Sequence, residues 1–201
     1  MEIIKLTVGL FQTNCYILIK EDTALIVDPG ASARKIASIL EQHPECTKKA
    51  VLLTHGHLDH IGAVDALYKK YGLDVWCSRD DEKLLTDEKF NSLAGISVTV
   101  NCPVKWIDSP ELQIGAFDIK VYFTPGHTSG SVMYLIEGIL FSGDTLFRES
   151  VGRTDLYSGS NHQLMESLKV LNQFDPSTRV LPGHEDETTI GHELSYNPFL
   201  Y

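Results

Sequence analysis

The sequence predicts an α/β fold, and three observations carry that expectation. It opens on three short β-rich runs, Glu2 to Val8, Thr13 to Lys20 and Thr23 to Val27, separated by Gly9 and by Glu21-Asp22. Apolar runs of strand length then alternate with stretches of helical period. Finally, four strand-like runs end in a Gly-bearing loop that releases a His or Asp. These are Leu53-Thr54-His55-Gly56-His57, Phe123-Thr124-Pro125-Gly126-His127, Phe141-Ser142-Gly143-Asp144 and Val180-Leu181-Pro182-Gly183-His184. In α/β sheets, sites gather at the carboxyl ends of strands, so four such ends are expected to converge.

The opening runs are rich in β-branched and aromatic residues, which predicts an antiparallel meander. Asp28-Pro29-Gly30 stops the third strand. Ser32 is a candidate N-cap for a helix with Ile36, Ile39 and Leu40 on one face, reaching about His43. Lys49 to Thr54 reads as a buried strand. A helix is expected from about Ile61 to Tyr71, ended by Gly72, then a brief strand from Val75 to Cys77. Arg79 to Phe90 reads as helical. Asn91 to Leu112 lacks a period and carries Pro103 and Pro110, so it is expected as a loop over a site. Phe117 to Phe123 alternates as a strand. Ser131 to Glu137 and Ile139 to Ser142 form a hairpin about Gly138. Asn161 to Phe174 is expected as one amphipathic helix presenting Leu164, Leu168 and Leu171, and Thr178 to Leu181 as the last strand. With no linker, repeat or low-complexity tract, residues 1–201 read as one domain.

Composition excludes several classes. Hydrophobic residues make up 43% and charged residues 22%, which is the globular range and excludes disorder and coiled coil. The net charge of −10 repels phosphate backbones, and Lys48-Lys49 and Lys69-Lys70 are isolated pairs, so no nucleic-acid partner is expected. Cys15, Cys46, Cys77 and Cys102 form no Cys-x-x-Cys pair and are expected as reduced thiols. No basic-then-apolar leader and no apolar run of membrane length is present, so a cytoplasmic protein is expected, with no membrane partner.

The segment His55-Gly56-His57-Leu58-Asp59-His60 carries the chemistry. Imidazole nitrogens and carboxylate oxygens bind divalent metals at about 2.0–2.2 Å. Four such groups within six residues exceed the needs of one open site with ligands elsewhere, so they are expected to face two adjacent metals. His127, Asp144 and His184 add three donors, and a carboxylate such as Asp144 can be shared. The donors are nitrogen and oxygen only, which allows zinc, iron or manganese, with zinc expected. His43, His162 and His192 lie outside the motifs and read as surface or structural. Tyr157 and Trp106 are candidates to line the pocket, with a core role the better reading for Trp106.

The ordered set Thr54 to His60, Thr-Pro-Gly-His-Thr (124–128), Ser-Gly-Asp-Thr-Leu-Phe (142–147), Gly-Arg-Thr-Asp (152–155), Leu-Pro-Gly-His (181–184) and Asn197-Pro198-Phe199 resembles the glyoxalase II-like branch of the metallo-β-lactamase superfamily. The resemblance spans almost the whole sequence. It implies an αββα sandwich, with His55, His57 and His127 on a first metal, Asp59, His60 and His184 on a second, and Asp144 bridging. His57 stands where the flavodiiron branch carries Glu, and Asp144 where the secreted antibiotic-degrading enzymes carry Cys. Neither a redox di-iron role nor antibiotic hydrolysis is therefore expected. Long hydroxyacylglutathione hydrolases carry an extra C-terminal helical segment with no counterpart before Tyr201, so the likeness is to the short form.

The expected reaction is hydrolysis of a small-molecule thioester, such as an S-2-hydroxyacylglutathione, by hydroxide shared between two metals. Asp59 is the candidate catalytic residue, to orient the nucleophile or take its proton. A thiolate leaves without protonation, whereas an amine needs a general acid. A lactone or activated ester fits equally. The alternative is a single-iron persulfide dioxygenase using His55, His127 and Asp144, since those enzymes resemble this sequence in fold and motif order. Arg153 is a candidate fork for a substrate carboxylate, with an ion pair to Asp155 as the competing role.

Overall fold

The computed structural model describes residues 1–200. The first half runs β1 (Glu2–Val8), β2 (Thr13–Lys20), β3 (Thr23–Val27), α1 (Ala33–Glu41), β4 (Lys48–Leu52), α2 (Leu58–Ile61), α3 (Val64–Tyr71), β5 (Asp74–Ser78), α4 (Glu82–Thr86), β6 (Ser92–Leu93), β7 (Ile96–Ser97) and β8 (Lys105–Ile107). The second half runs β9 (Glu111–Ile114), β10 (Phe117–Phe123), β11 (Val132–Ile136), β12 (Ile139–Gly143), β13 (Leu146–Phe147), β14 (Ser150–Val151), α5 (Asn161–Leu168), β15 (Arg179–Pro182), β16 (Thr188–Thr189) and α6 (Ile190–Tyr196).

Each half builds one six-stranded sheet, ordered β1-β2-β3-β4-β5-β8 and β16-β15-β12-β11-β10-β9. Both start as antiparallel meanders and then cross over to a parallel strand, β4 beside β3 and β15 beside β12. The sheets pack face to face over Leu18, Leu25, Leu52, Phe117, Tyr134 and Phe141. Burying each large ring contributes about 2–3 kcal/mol. The outer face of the first sheet packs on α1 and α3 through Ile36, Leu40, Val64 and Leu67. The second packs on α5 and α6 through Leu164, Leu168 and Ile190. This is the αββα sandwich. Strand β2 shows why its sequence reads as an unbroken apolar run: Cys15, Ile17 and Ile19 enter one core, Tyr16 and Leu18 the other.

Several boundaries differ from the sequence expectation. Arg79 to Phe90 is a 3₁₀ turn followed by α4, which ends at Thr86 because Asp87 is extended. The expected helix from Ile61 splits into α2 and α3. Asn161 to Phe174 is α5 followed by a 3₁₀ turn. The stretch Asn91 to Leu112 is not one loop over the site. It forms the β6–β7 hairpin, edge strand β8 and the start of β9, and only Asn91, Ser92 and Leu93 reach the main cavity. All four cysteines are free. Among the described residues, no helix is long and apolar enough to cross a membrane.

Candidate metal centre

All seven predicted donors meet at one end of the sandwich. His55, His57, Asp59 and His60 follow β4, His127 follows β10, Asp144 follows β12, and His184 follows β15. Two glycines make the convergence possible. A Cβ on Gly30 would lie 1.5 Å from the carbonyl oxygen of Asp59, so only glycine lets the end of β3 pass under the ligand loop. Gly143 adopts φ +50°, and its Cβ would lie 2.4 Å from Thr54 Oγ1. That turn releases Asp144 inward.

Three groups of ligand atoms each lie within 4.8 Å of one another: His55, His57 and His127; His55, His60 and Asp144; and Asp59, His60 and His184. Asp144 stands between the outer two, 3.5 Å from His127 Nε2, 3.4 Å from His60 Nε2 and 3.5 Å from His184 Nε2. Asp59 Oδ2 lies 3.3 Å from His184 Nε2 and 3.6 Å from His60 Nε2.

Hydrogen bonds behind the rings decide which nitrogen faces inward. Thr54 Oγ1 donates to Asp28 Oδ2 at 2.7 Å, so the 3.1 Å contact with His55 Nδ1 is donated by the ring. His127 Nδ1 donates to the Arg153 carbonyl at 2.7 Å, and His60 Nδ1 lies 3.0 Å from Asp28 Oδ2 in an ion-pair contact. His55 and His127 are left with Nε2 turned to the centre, the arrangement that metal-binding imidazoles adopt. His55 Nε2 is buried with no hydrogen-bond partner. His57 Nδ1 and His127 Nε2 stand 2.8 Å apart, and two lone pairs that close need a proton or a cation between them. The residues therefore fit divalent ions: His55, His57 and His127 would hold one, Asp59, His60 and His184 another, and Asp144 both.

The charges are arranged accordingly. Burial, reinforced by the other imidazoles, holds His55 well below the usual histidine range, and His57 is pushed down to about 3. Burial opposes a charge on His60, but Asp144, Asp59 and Asp28 outweigh it and raise His60 to about 9. Against burial, bonds to Asp144 and Asp59 raise His184 to about 10. Asp144 is held at about 2 and Asp59 lower still, because His60 and His184 outweigh desolvation. Protons thus stand in for part of the positive charge that metals would bring.

Four supporting residues escaped the sequence reading. Asp28 was read only as a strand stop, yet it orders both Thr54 and His60. Thr13 Oγ1 donates to Asp59 Oδ2 at 2.9 Å. Asp81 is fully buried and accepts from Gly56 N, Thr128 Oγ1 and Gly130 N, each at 2.8 Å, which ties the His55–His57 loop to the His127 loop. Asn91 donates to Gly56 O at 2.7 Å and accepts from Leu58 N at 2.8 Å. The local signal for Thr54 and Thr13 is weak, since each is simply a Thr at a strand end.

The centre forms the floor of a cavity of about 1080 Å³. Phe90 and Tyr157 stack on its wall with centroids 4.1 Å apart. Arg153 lines it, but its guanidinium is engaged by Asp155 in two bonds of 2.7 and 2.8 Å. Trp106 packs beside the first helical core, under Arg79.

Comparison with known proteins agrees with this geometry. Residues 8–184 match the family model of the metallo-beta-lactamase superfamily. The chain belongs to that superfamily. It is 32% identical to the Haemophilus influenzae protein named hydroxyacylglutathione hydrolase GloC, covering 100% of this chain and 97% of that one. The solved structure of BLEG-1 B3 metallo-beta-lactamase is 39% identical, covers 99% of both chains and superposes with a TM-score of 0.92. TTHA1623, solved in a di-iron-bound form, is 33% identical over 98% of this chain and 100% of that one, with a TM-score of 0.86.

Proposed function

We propose that this chain is a two-metal hydrolase of small-molecule thioesters, with S-2-hydroxyacylglutathiones as the substrate class. The observation that carries this reading is the convergence of two donor triads and one intervening carboxylate on the floor of a cavity large enough for such a substrate. Divalent ions held there supply a water that ionises near neutral pH, and positive charge for a developing oxyanion. Asp59, held by Thr13, would orient that water or accept its proton. Asp28, Thr54 and the Arg153 carbonyl keep the imidazoles in register. The leaving thiolate, whose acid has a pKa of about 8.5, departs without a general acid. Likeness to the GloC protein supports the thioester, and zinc is the proposed metal, with iron its competitor given the di-iron relative.

The second triad, Asp59, His60 and His184, favours two ions over the single iron of a persulfide dioxygenase, which would leave those donors idle. The test is hydrolysis of S-D-lactoylglutathione, followed as loss of thioester absorbance, with and without chelator. A chelator-sensitive kcat/KM above about 10⁴ M⁻¹s⁻¹ is expected. A lactone and a β-lactam are assayed alongside, the latter because of the BLEG-1 likeness. Turnover of either in place of the thioester would overturn the substrate assignment.

A further inference from the structure

We propose that the C-terminal helix braces the metal centre from outside, with Glu193 and Asn197 as positioning residues that act through the β13–β14 hairpin. Both side chains are fully buried. Glu193 Oε1 accepts from Thr188 Oγ1 at 2.6 Å, and its Oε2 accepts from the backbone N–H of Glu149 and from Asn197 Nδ2, each at 2.8 Å. Asn197 Nδ2 also donates to the carbonyl of Ser150 at 3.0 Å, and its Oδ1 accepts from Phe199 N at 3.1 Å. The pair therefore holds one backbone N–H and one backbone carbonyl at the tip of the hairpin, at Glu149 and Ser150. That tip needs holding, since Glu149 sits in the left-handed region at φ 56° without being glycine.

The hairpin joins two metal ligands and touches a third. It leaves directly from Asp144. It returns through Gly152, where a Cβ would lie 1.9 Å from the Asp144 carbonyl oxygen, to Arg153, whose carbonyl takes the His127 Nδ1 bond. On its inner side the Phe147 ring meets the His184 ring edge-on, with centroids 6.0 Å apart. A shift at the tip is thus felt at Asp144, His127 and His184 together. Among the described residues, Glu193 has no cationic partner. A buried carboxyl without one is costly unless donors fill its oxygens, so an acid is a poor choice for packing alone. Here its value lies in holding donors from two directions. Asn197-Pro198-Phe199, singled out in the sequence, gains a role at Asn197.

The test reads metal binding rather than thioester turnover, so it stands or falls independently of the proposed substrate. Metal affinity is measured on the full-length protein by chelator competition, and ligand geometry by the visible spectrum of the cobalt-loaded form. Asn197→Ala and Glu193→Ala are expected to weaken affinity about 10-fold and to shift the cobalt bands, the low end of the roughly 10–100-fold range for residues behind metal ligands. Glu193→Gln is expected to stay near wild type, because its oxygen can serve Glu149 and Asn197 while its amide donates to Thr188. Leu40→Ala, in the opposite core, controls for lost stability. Wild-type affinity and spectrum in both alanine variants would overturn the proposal, as would equal changes in Leu40→Ala at matched Tm. If Glu193→Ala fails to fold, Asn197→Ala decides.

Discussion

Asp81→Asn isolates how the ligand loops are held together. The carboxylate is fully buried and takes three hydrogen bonds of 2.8 Å, from Gly56, Thr128 and Gly130. An amide keeps the shape but has one acceptor oxygen. With that oxygen facing Gly130 N, the new NH₂ can donate to Thr128 Oγ1, which is free to donate to Ser131 Oγ at 2.8 Å. Gly56 N–H then faces another N–H and is stranded. A buried donor left without a partner costs about 1–3 kcal/mol. Gly56 lies between His55 and His57, so its displacement also moves two donors of the first proposed triad. The expected result is a loss of about 1–3 kcal/mol in urea unfolding of the metal-free protein, together with about 10–100-fold weaker metal binding by chelator competition. Unchanged metal affinity alongside the lost stability would refute the coupling of Asp81 to the ligands. A stability loss under about 0.5 kcal/mol, the range of ordinary surface substitutions, would refute the bond count itself.

Three further outcomes follow from the same geometry. Thr13→Val removes the hydroxyl donated to Asp59 Oδ2 and is expected to lower kcat about 10-fold while Tm stays within a few degrees, read from steady-state kinetics and a thermal scan. His60 and His184, raised to about 9 and 10 in the metal-free protein, hold protons through neutral pH, so metal loading at pH 8 is expected to release protons, measured by calorimetry in buffers of different ionisation enthalpy. The sign follows because both groups are protonated below their folded values and must be neutral to ligate; in the metal-free protein their contribution to stability is fully present below about 6.5, the unfolded value, and is lost as pH rises through 9 to 10. Arg153→Ala breaks only an exposed pair with Asp155, so unfolding is expected to shift by under about 0.5 kcal/mol, while a rise in KM would reveal a substrate contact.

The parts of the site legible in the sequence are those whose chemistry is local. His55 to His60 announce themselves by residue type and spacing, and His127, Asp144 and His184 by a shared Gly before the donor at a strand end. The strand and helix periods predict an α/β fold, and the sandwich follows from the resemblance that the motif order carries. What stayed hidden acts across long sequence distances. Asp81 lies in a stretch that reads as helix, and only folding brings Gly56 and Thr128 onto its carboxylate. Asp28 is both a strand stop and a hydrogen-bond acceptor, and only the former shows locally. α6 went unread because Gly191 breaks its period, although Thr189 caps it through His192 N. The stretch Asn91 to Leu112 looked like a lid because short strands of two to four residues leave no periodicity to detect.

Two metal ions on the seven donors are proposed to perform the hydrolysis. The most direct measurement counts tightly bound metal per chain while chelator removes it, with S-D-lactoylglutathione turnover and oxygen uptake followed on the same sample. Two ions per chain, turnover lost as they leave and restored on reloading, and no oxygen uptake are the predicted result. One iron per chain with oxygen consumed on a persulfide would contradict it, as would near-native turnover retained in His57→Ala or Asp144→Ala.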